Sequence, residues 1–317
     1  MASAAATLES VESFLPERSV RIDELAGRLQ LRRAEIGVFR KIYGLDTLRY
    51  DPEMSLFDLI LPAARRALAA VPEGGRVSHL IYAHTMPTVT PAHIDAAQVV
   101  RERLDLRDAE AFALTQQACV SSLGAVDVAA RLLRAEGTEN GYALVVTGEQ
   151  AFSPAVQLIP NSAIMADAAA ACLVGIDGRG DVVRAFVSST LGEFAEGLRM
   201  TRAEIQSFGQ VYAKELAEII RRAVDEAGLA PDDIDLVLPH NVNAVSWRQA
   251  IKELDWPSER FFLDNIARLS HCYSADVFVN YTTVRAAARL VDGRHYLLVS
   301  VGLGATFGAM VITHRAR

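Results

Sequence analysis

Residues 212–240 read YAKELAEIIRRAVDEAGLAPDDIDLVLPH: apolar residues at helical spacing, a turn at Pro231 with two aspartates, an apolar strand, and His240. The same phrase stands earlier in the chain, as FDLILPAARRALAAVP at 57–72, a turn, HLIYA at 79–83 and His84. Arg65 and Arg66 to Arg221 and Arg222 is an offset of 156, and so is His84 to His240. Ala129, Ala130, Arg131 and Leu132 recur as Ala287, Ala288, Arg289 and Leu290 at an offset of 158. YALVVTG (142–148) recurs as YLLVSVG (296–302) at 154, and ACLVGI (171–176) pairs with AMVIT (309–313). One match would be chance. Several in one order, with offsets within four residues, imply two copies of one α/β unit.

Each copy reads helix, strand, long loop, helix, strand, short loop, strand, an alternation that puts helices over sheets. The strands are continuous apolar runs, which implies burial on both faces. The helices expected to begin near Cys119 and near Ser274 are apolar almost all round, so they belong between layers. The predicted fold is α/β: a five-layer αβαβα sandwich built from two duplicated halves, 1–180 and 181–317. The halves should meet near residues 177–185, at the turn DGRGDVV, with 186–210 a loop leading into the second half.

Composition fits a globular protein: 317 residues, 51% hydrophobic and 22% charged, with 20 Gly and 11 Pro. The net charge of -7 argues against a general nucleic-acid binder, which carries a basic surplus. Glu9 and Glu12 interrupt any secretory apolar core near the start, and no apolar run reaches the ~18 residues of a membrane span. The expectation is a cytoplasmic enzyme. The three cysteines, Cys119, Cys172 and Cys272, are too scattered for a disulfide framework or a structural zinc site.

Three positions could carry chemistry. Cys119, in TQQACVSSLGAV, lies where the strand-like AFAL has ended and a buried helix begins. Aligned backbone dipoles and free amides at a helix N-terminus stabilise a thiolate, although free cysteine is also among the most buried residue types. His240 ends a buried strand ahead of Asn241 and Asn243, where open α/β sheets place ligands, and its repeat partner His84 has the same context without a chemical partner. His271, in LSHCYSAD, precedes the second buried helix and is the counterpart of the Cys119 region. Pseudo-twofold halves would bring these two helix starts together. Cys272 reads as packing. Gly302 and Gly304, in SVGLGATFGA, allow close backbone approach after a strand. A GxG without a following helix does not make a dinucleotide site, and there is no P-loop, HExxH or GxSxG.

ACVSSLGAVDV (118–128), LPHNVN (238–243), the SHCYSAD stretch and VGLGATFGAMVI (301–312) together resemble the thiolase superfamily, most of all its β-ketoacyl-ACP synthase III branch. FLPERSVRIDELA, IYAHTMPTVTPAH and ADAAAACLV (166–174) fit the same branch, and the resemblance runs from about residue 8 to 314. It implies an acyl-Cys119 intermediate formed from an acyl thioester, with His240 polarising the second substrate. It also implies that the Cys119 and Gly304 amides form an oxyanion hole, and that no cofactor is needed beyond acyl-ACP or acyl-CoA as substrate. Where that branch has Gly-Asn-Thr, this chain has Ser270, His271 and Cys272, which resembles the Cys-His-His set of elongating ketosynthases. The Trp and Arg that hold the CoA adenine should fall near Val38 and Ile42 and are not kept, which favours a carrier-protein thioester. The implied function is decarboxylative condensation with a malonyl thioester in a specialised pathway. The alternatives are acyl transfer to an alcohol or amine of a small molecule, and a non-catalytic partner subunit, which the retained Cys119 argues against. The resemblance further implies a homodimer in which the strand near 143–147 pairs across a twofold axis.

Overall fold

In the computed structural model, which describes residues 4–137 and 140–316, the repeated sequence becomes repeated structure. The first half contributes β1 (Ala6–Phe14), β2 (Arg76–Ala83), β3 (Glu110–Leu114), β4 (Gly141–Glu149) and β5 (Ala168–Ile176). The second contributes β6 (Asp181–Thr190), β7 (Ile234–Pro239), β8 (His295–Gly302) and β9 (Thr306–Thr313). The strand order is β7-β8-β9-β6-β1-β5-β4-β2-β3. β1–β5 and β5–β4 are antiparallel, and β4–β2 and β2–β3 parallel. β6–β9 and β9–β8 are antiparallel and β8–β7 parallel, the same pattern again. The counterpart of β3 is reduced to one bridge, Val237 to Phe261.

The two sheets are joined rather than separate. β1 and β6 pair only through Thr7 with Val182 and Leu8 with Asp181, after which the sheets splay to admit helices. Between them lie α4 (Ser121–Glu136), against β2, β4 and β5 on one side and β6 and β9 on the other, and α7 (Asp276–Ala286). α7 packs on β1 and β5 as well as on β7 and β8. Outside the first sheet sits α2 (Leu56–Leu68), followed in the chain by α3 (Ala96–Arg103); outside the second sits α5 (Arg202–Glu226), packed on α6 (Ala244–Leu254). α1 (Arg33–Lys41) lies near the start of the chain.

Local chemistry sets these limits. Ser55, Asn243 and Thr201 cap the N-termini of α2, α6 and α5 by accepting the amides of Asp58, Ser246 and Glu204. Gly137, at φ 60, ends α4 in the left-handed conformation. Val126, Leu123, Phe278, Val279 and Val284 on the two central helices are fully buried, and each such side chain contributes about 1.5–3 kcal/mol.

The two central helices begin near Cys119 and Ser274 as expected, with 3-10 turns at Ala118–Val120 and Tyr273–Ala275 that turn α-helical at Ser121 and Asp276. Two expectations are corrected. The 186–210 stretch is not a loop: β6 runs to Thr190 and α5 starts at Arg202. The 143–147 strand is not an edge, because β4 is hydrogen-bonded to β2 on one side and β5 on the other. The edge of the first sheet is β3.

Candidate active site

The chain leaves β3 at Leu114 and turns into α4 through Gln116 and Ala118, at φ 76 and 47, two non-glycine residues in the left-handed region. That turn sets Cys119 at the amino end of α4, whose first turn holds no acidic residue. It is pressed against β8 and β9. A Cβ at Gly302 would overlap Gln117 O and lie 2.9 Å from Ala118 Cβ, and one at Gly308 would overlap Val120 Cγ1. Glycine at these two positions is what allows the approach. Ser300 Oγ then donates to Cys119 O at 2.8 Å.

The second half makes a matching turn. Ser270 and Tyr273, at φ 55 and 53, bracket His271 and Cys272 just before α7. The two helix starts meet, Ser122 Oγ donating to Ser274 O at 2.7 Å. His271 Nε2 thereby comes within 3.3 Å of Cys119 Sγ, and Thr85 Oγ1 approaches the same sulfur at 3.8 Å. The other ring nitrogen, His271 Nδ1, lies 2.5 Å from Asp276 Oδ2. Burial alone would push the imidazole down, but Asp276 and Cys119 outweigh it and raise its pKa to about 10.

His240 follows β7, its amide donating to Val299 O at 2.9 Å and its carbonyl accepting from Trp247 Nε1 at 2.8 Å. Its ring lies 5.7 Å from that of His271, centroid to centroid. Tyr212 Oη, on α5, is 3.4 Å from His240 Nε2, while Nδ1 has no partner among the described residues. Burial and then the His271 charge push its pKa well down, so His240 is the neutral member of the pair.

Of the four residues singled out from the sequence, Cys119, His240 and His271 come together. Gly304, at φ 99, sits in the β8–β9 turn two residues beyond the glycine on which the Cys119 turn packs. Cys272 is fully buried, its thiol pushed well up by burial and then by Asp276. Asn243 caps α6, and His84 bonds through Nδ1 to Met86 O at 2.5 Å. The sequence reading missed Asp276, Asn241, Tyr212 and Glu149. A charged residue opening an otherwise apolar, buried helix was the available signal for Asp276. Tyr212 gave none, being one more aromatic on a helix. Glu149 is fully buried at the end of β4 and accepts the Thr85 and Met86 amides, both at 2.8 Å. Burial lifts its pKa to about 7 against those hydrogen bonds. A surface cavity of about 980 Å³ beside Glu9, Arg134, Tyr142 and Arg179 touches none of these groups.

Comparison with known proteins finds similar sequences and similar structures. The family of 3-oxoacyl-[acyl-carrier-protein (ACP)] synthase III C-terminal domains matches residues 224–314. The mycobacterial beta-ketoacyl-[acyl-carrier-protein] synthase III of Mycobacterium marinum is 26% identical, over 96% of this chain and 94% of that protein. Among solved structures, ChlB3, described as an acyltransferase, superposes with a TM-score of 0.85 at 19% identity, covering 98% of both chains. The 3-oxoacyl-(acyl carrier protein) synthase III of Pseudomonas aeruginosa PAO1 gives 0.80 at 24% identity, over 98% of this chain and 99% of that one. The fold they share with this chain is the thiolase fold.

Proposed function

We propose that the chain is a β-ketoacyl-ACP synthase III-like member of the thiolase superfamily and, on that premise, an acyltransferase with Cys119 as nucleophile. The observation that supports this most is the 3.3 Å contact between Cys119 Sγ and His271 Nε2 at the start of a buried helix. Cys119 sulfur attacks the carbonyl of an acyl thioester, the bond to the carrier sulfur breaks, and the carrier thiol leaves with a proton. The Cys119 and Gly304 amides receive the oxyanion, and such donors are each worth about 3–4 kcal/mol. In the second half-reaction a malonyl thioester loses CO2, and His271 and His240 donate to its enolate oxygen. The enolate carbon attacks the acyl carbonyl, the C–S bond to Cys119 breaks, and a β-ketoacyl thioester leaves.

One observation favours a second reading, in which no decarboxylation occurs. Neutral His240, with Nδ1 free, can act as general base for a small-molecule alcohol or amine, giving an ester or amide. Val38 and Ile42 stand exposed on α1 and at its end, where an adenine-holding Trp and Arg are expected, which supports an acyl carrier protein thioester over acyl-CoA as donor. The setting we infer is a specialised biosynthetic pathway in the cytoplasm; no helix among the described residues is long and apolar enough to cross a membrane.

We also infer a homodimer, now through β3. Phe112 and Leu114 lie on that open edge, which pairing across a twofold axis would cover. A strictly monomeric species in light scattering at micromolar concentration contradicts it. The functional test is intact-protein mass spectrometry after incubation with acyl-carrier and acyl-CoA thioesters, followed by addition of a malonyl thioester, an alcohol or an amine. An acyl adduct on Cys119 is expected, and the product mass separates the two readings. No adduct from any donor overturns both.

A further inference from the structure

We propose that Tyr212 is a specificity-determining residue of this site: its hydroxyl holds the place at His240 Nε2 that an acceptor must take, so that water is kept from the acyl-enzyme and an alcohol or amine on an aromatic body displaces it. The proposal deepens the acyl-Cys119 reading in its non-decarboxylating form and rests on it. Tyr212 Oη lies 3.4 Å from His240 Nε2, the one hydrogen bond the phenol makes among the described residues. His240 needs no phenol to hold its backbone. Its amide donates to Val299 O, its carbonyl accepts from Trp247 Nε1, and the next amide, of Asn241, donates to Asp276 Oδ2 at 2.6 Å. Nor does packing ask for a hydroxyl. The Tyr212 ring stands 5.5 Å from that of Phe208 and 5.8 Å from that of Phe307, and Phe208 stands 5.2 Å from Phe194. That cluster of four rings carries one oxygen, and it reaches His240.

At 3.4 Å the contact is longer than a well-formed hydrogen bond, so a substrate atom replaces it at small cost. His271 offers no such place, because its Nε2 is 3.3 Å from Cys119 Sγ and its Nδ1 is on Asp276. His240 itself is 1% exposed. Tyr212 keeps part of its surface toward solvent while its hydroxyl end is buried, and burial and then the Cys119 charge push the phenol up, so it keeps its proton. The aromatic wall continues toward Gly304. Phe194 belongs to the turn Gly192–Phe194, and a Cβ at Gly197 would lie 3.7 Å from Gly304 N. Phe194 and Phe307 are buried, which leaves half-buried Phe208 and Tyr212 as the rings that meet a ligand. Rings with no charge among them suit a flat, apolar body that carries the acceptor group. Such a molecule takes the phenol's place at Nε2 and passes its proton to His240 as its oxygen or nitrogen bonds the acyl carbon. The C–S bond to Cys119 then breaks, and the sulfur leaves as thiolate beside His271. Water in the same place would release the acyl group as a carboxylic acid.

The experiment follows protein acylated once on Cys119 by an acyl-carrier thioester and freed of donor, with the remaining adduct measured by intact mass. Wild type is compared with Tyr212→Phe, which removes one oxygen, in buffer alone and with benzyl alcohol, benzylamine, ethanol or ethylamine. The wild-type adduct should outlast buffer, and the benzyl compounds should discharge it about tenfold or more faster than the ethyl compounds at equal concentration. In the Phe variant, loss to water should rise by about tenfold, and the preference for benzyl over ethyl acceptors should shrink by a similar factor. Equal hydrolysis by the two proteins overturns the proposal, as does slower hydrolysis by the variant. Should the variant not fold, wild type alone decides: discharge by ethyl compounds as fast as by benzyl ones overturns it. An adduct discharged only by a malonyl thioester also overturns it, and leaves the acyl-Cys119 reading standing. No adduct from any donor sinks that reading and this proposal together, so the two failures are told apart.

Discussion

His84 and His240 end equivalent strands of the two halves, yet they live in different chemical worlds. His84 bonds back to its own loop at Met86 O and lies against Tyr82, ring centroids 5.1 Å apart. His240 faces a phenol and a second imidazole, the one that contacts Cys119. The two buried helices differ in the same way. α4 begins with no acidic residue, leaving its positive end to the Cys119 sulfur. α7 begins with Asp276, which grips His271. Duplication supplies the frame, and function follows from which side chain each copy places at the shared positions.

The sharpest break of this asymmetry is Cys119→Ala, which should abolish the acyl adduct in intact-mass measurements, a loss of at least about four orders of magnitude in turnover. His240→Ala and His271→Ala should still permit some acylation but fail in single-turnover transfer from pre-acylated protein, by about 10²- to 10⁴-fold. Equal losses point to condensation, where two donors serve one enolate oxygen. A loss confined to His240→Ala points to ester or amide formation. His84→Ala, the control at the equivalent strand end, should stay within about twofold of wild type. Full transfer by the His240→Ala protein would leave that histidine structural.

The repeat is legible in the sequence because it lies in the layers that are buried on both sides. Strands such as ACLVGI and YLLVSVG have no solvent face to diversify, so their apolar runs survive and align. Sequence and structure part where one face is wet. FVSST at the end of β6 is two apolar residues followed by three polar ones and reads as loop, and the first turns of α5, RAEIQSFGQV, offer little apolar periodicity. YALVV, expected at an edge, is apolar on both faces, which argues for the interior place it takes; the true edge, EAFAL, is short and charged at Glu110. The candidate site is legible as three motifs. The residues that support it are not, because a lone Asp276 or Tyr212 acquires meaning only when distant elements come together.

A smaller effect sharpens the comparison within the strands. Gly148 and Gly302 are repeat partners, and each lacks room for a methyl group. At Gly148 the added carbon would lie 2.6 Å from both Ala169 Cβ and Ile60 Cγ2; at Gly302 it would strike the Cys119 turn. Both alanine variants should lose about 1–3 kcal/mol of stability in denaturant titration. Only Gly302→Ala should also lower acylation per folded molecule. If Gly148→Ala lowers it equally, the close packing on the nucleophile turn has no special role.

An effect of similar size, read as a slope in pH, concerns the residue after each of those glycines, Glu149 in one half and half-buried Leu303 in the other. Burial raises the Glu149 pKa from 4.5 to about 7, so the folded state favours the acid form more than the unfolded chain does. Its contribution to stability is therefore fully present below about pH 4.5 and is lost as pH rises through about 7, by roughly 3 kcal/mol. Asp167, raised to about 6 by burial, and His240, pushed down by burial, also shape the pH profile, but they act alike in wild type and in Glu149→Gln. The difference in unfolding free energy between those two proteins isolates the one carboxyl. The glutamine side chain of the variant leaves one of the Thr85 and Met86 amides without its acceptor, a pH-independent offset. Superimposed on it, the advantage of wild type over variant should shrink steadily from about pH 4.5 to about pH 7 and then level off. Leu303→Gln, at the equivalent place, should add no such slope. A flat difference for Glu149→Gln would mean that this carboxyl titrates normally and that the two strand ends are electrostatically alike after all.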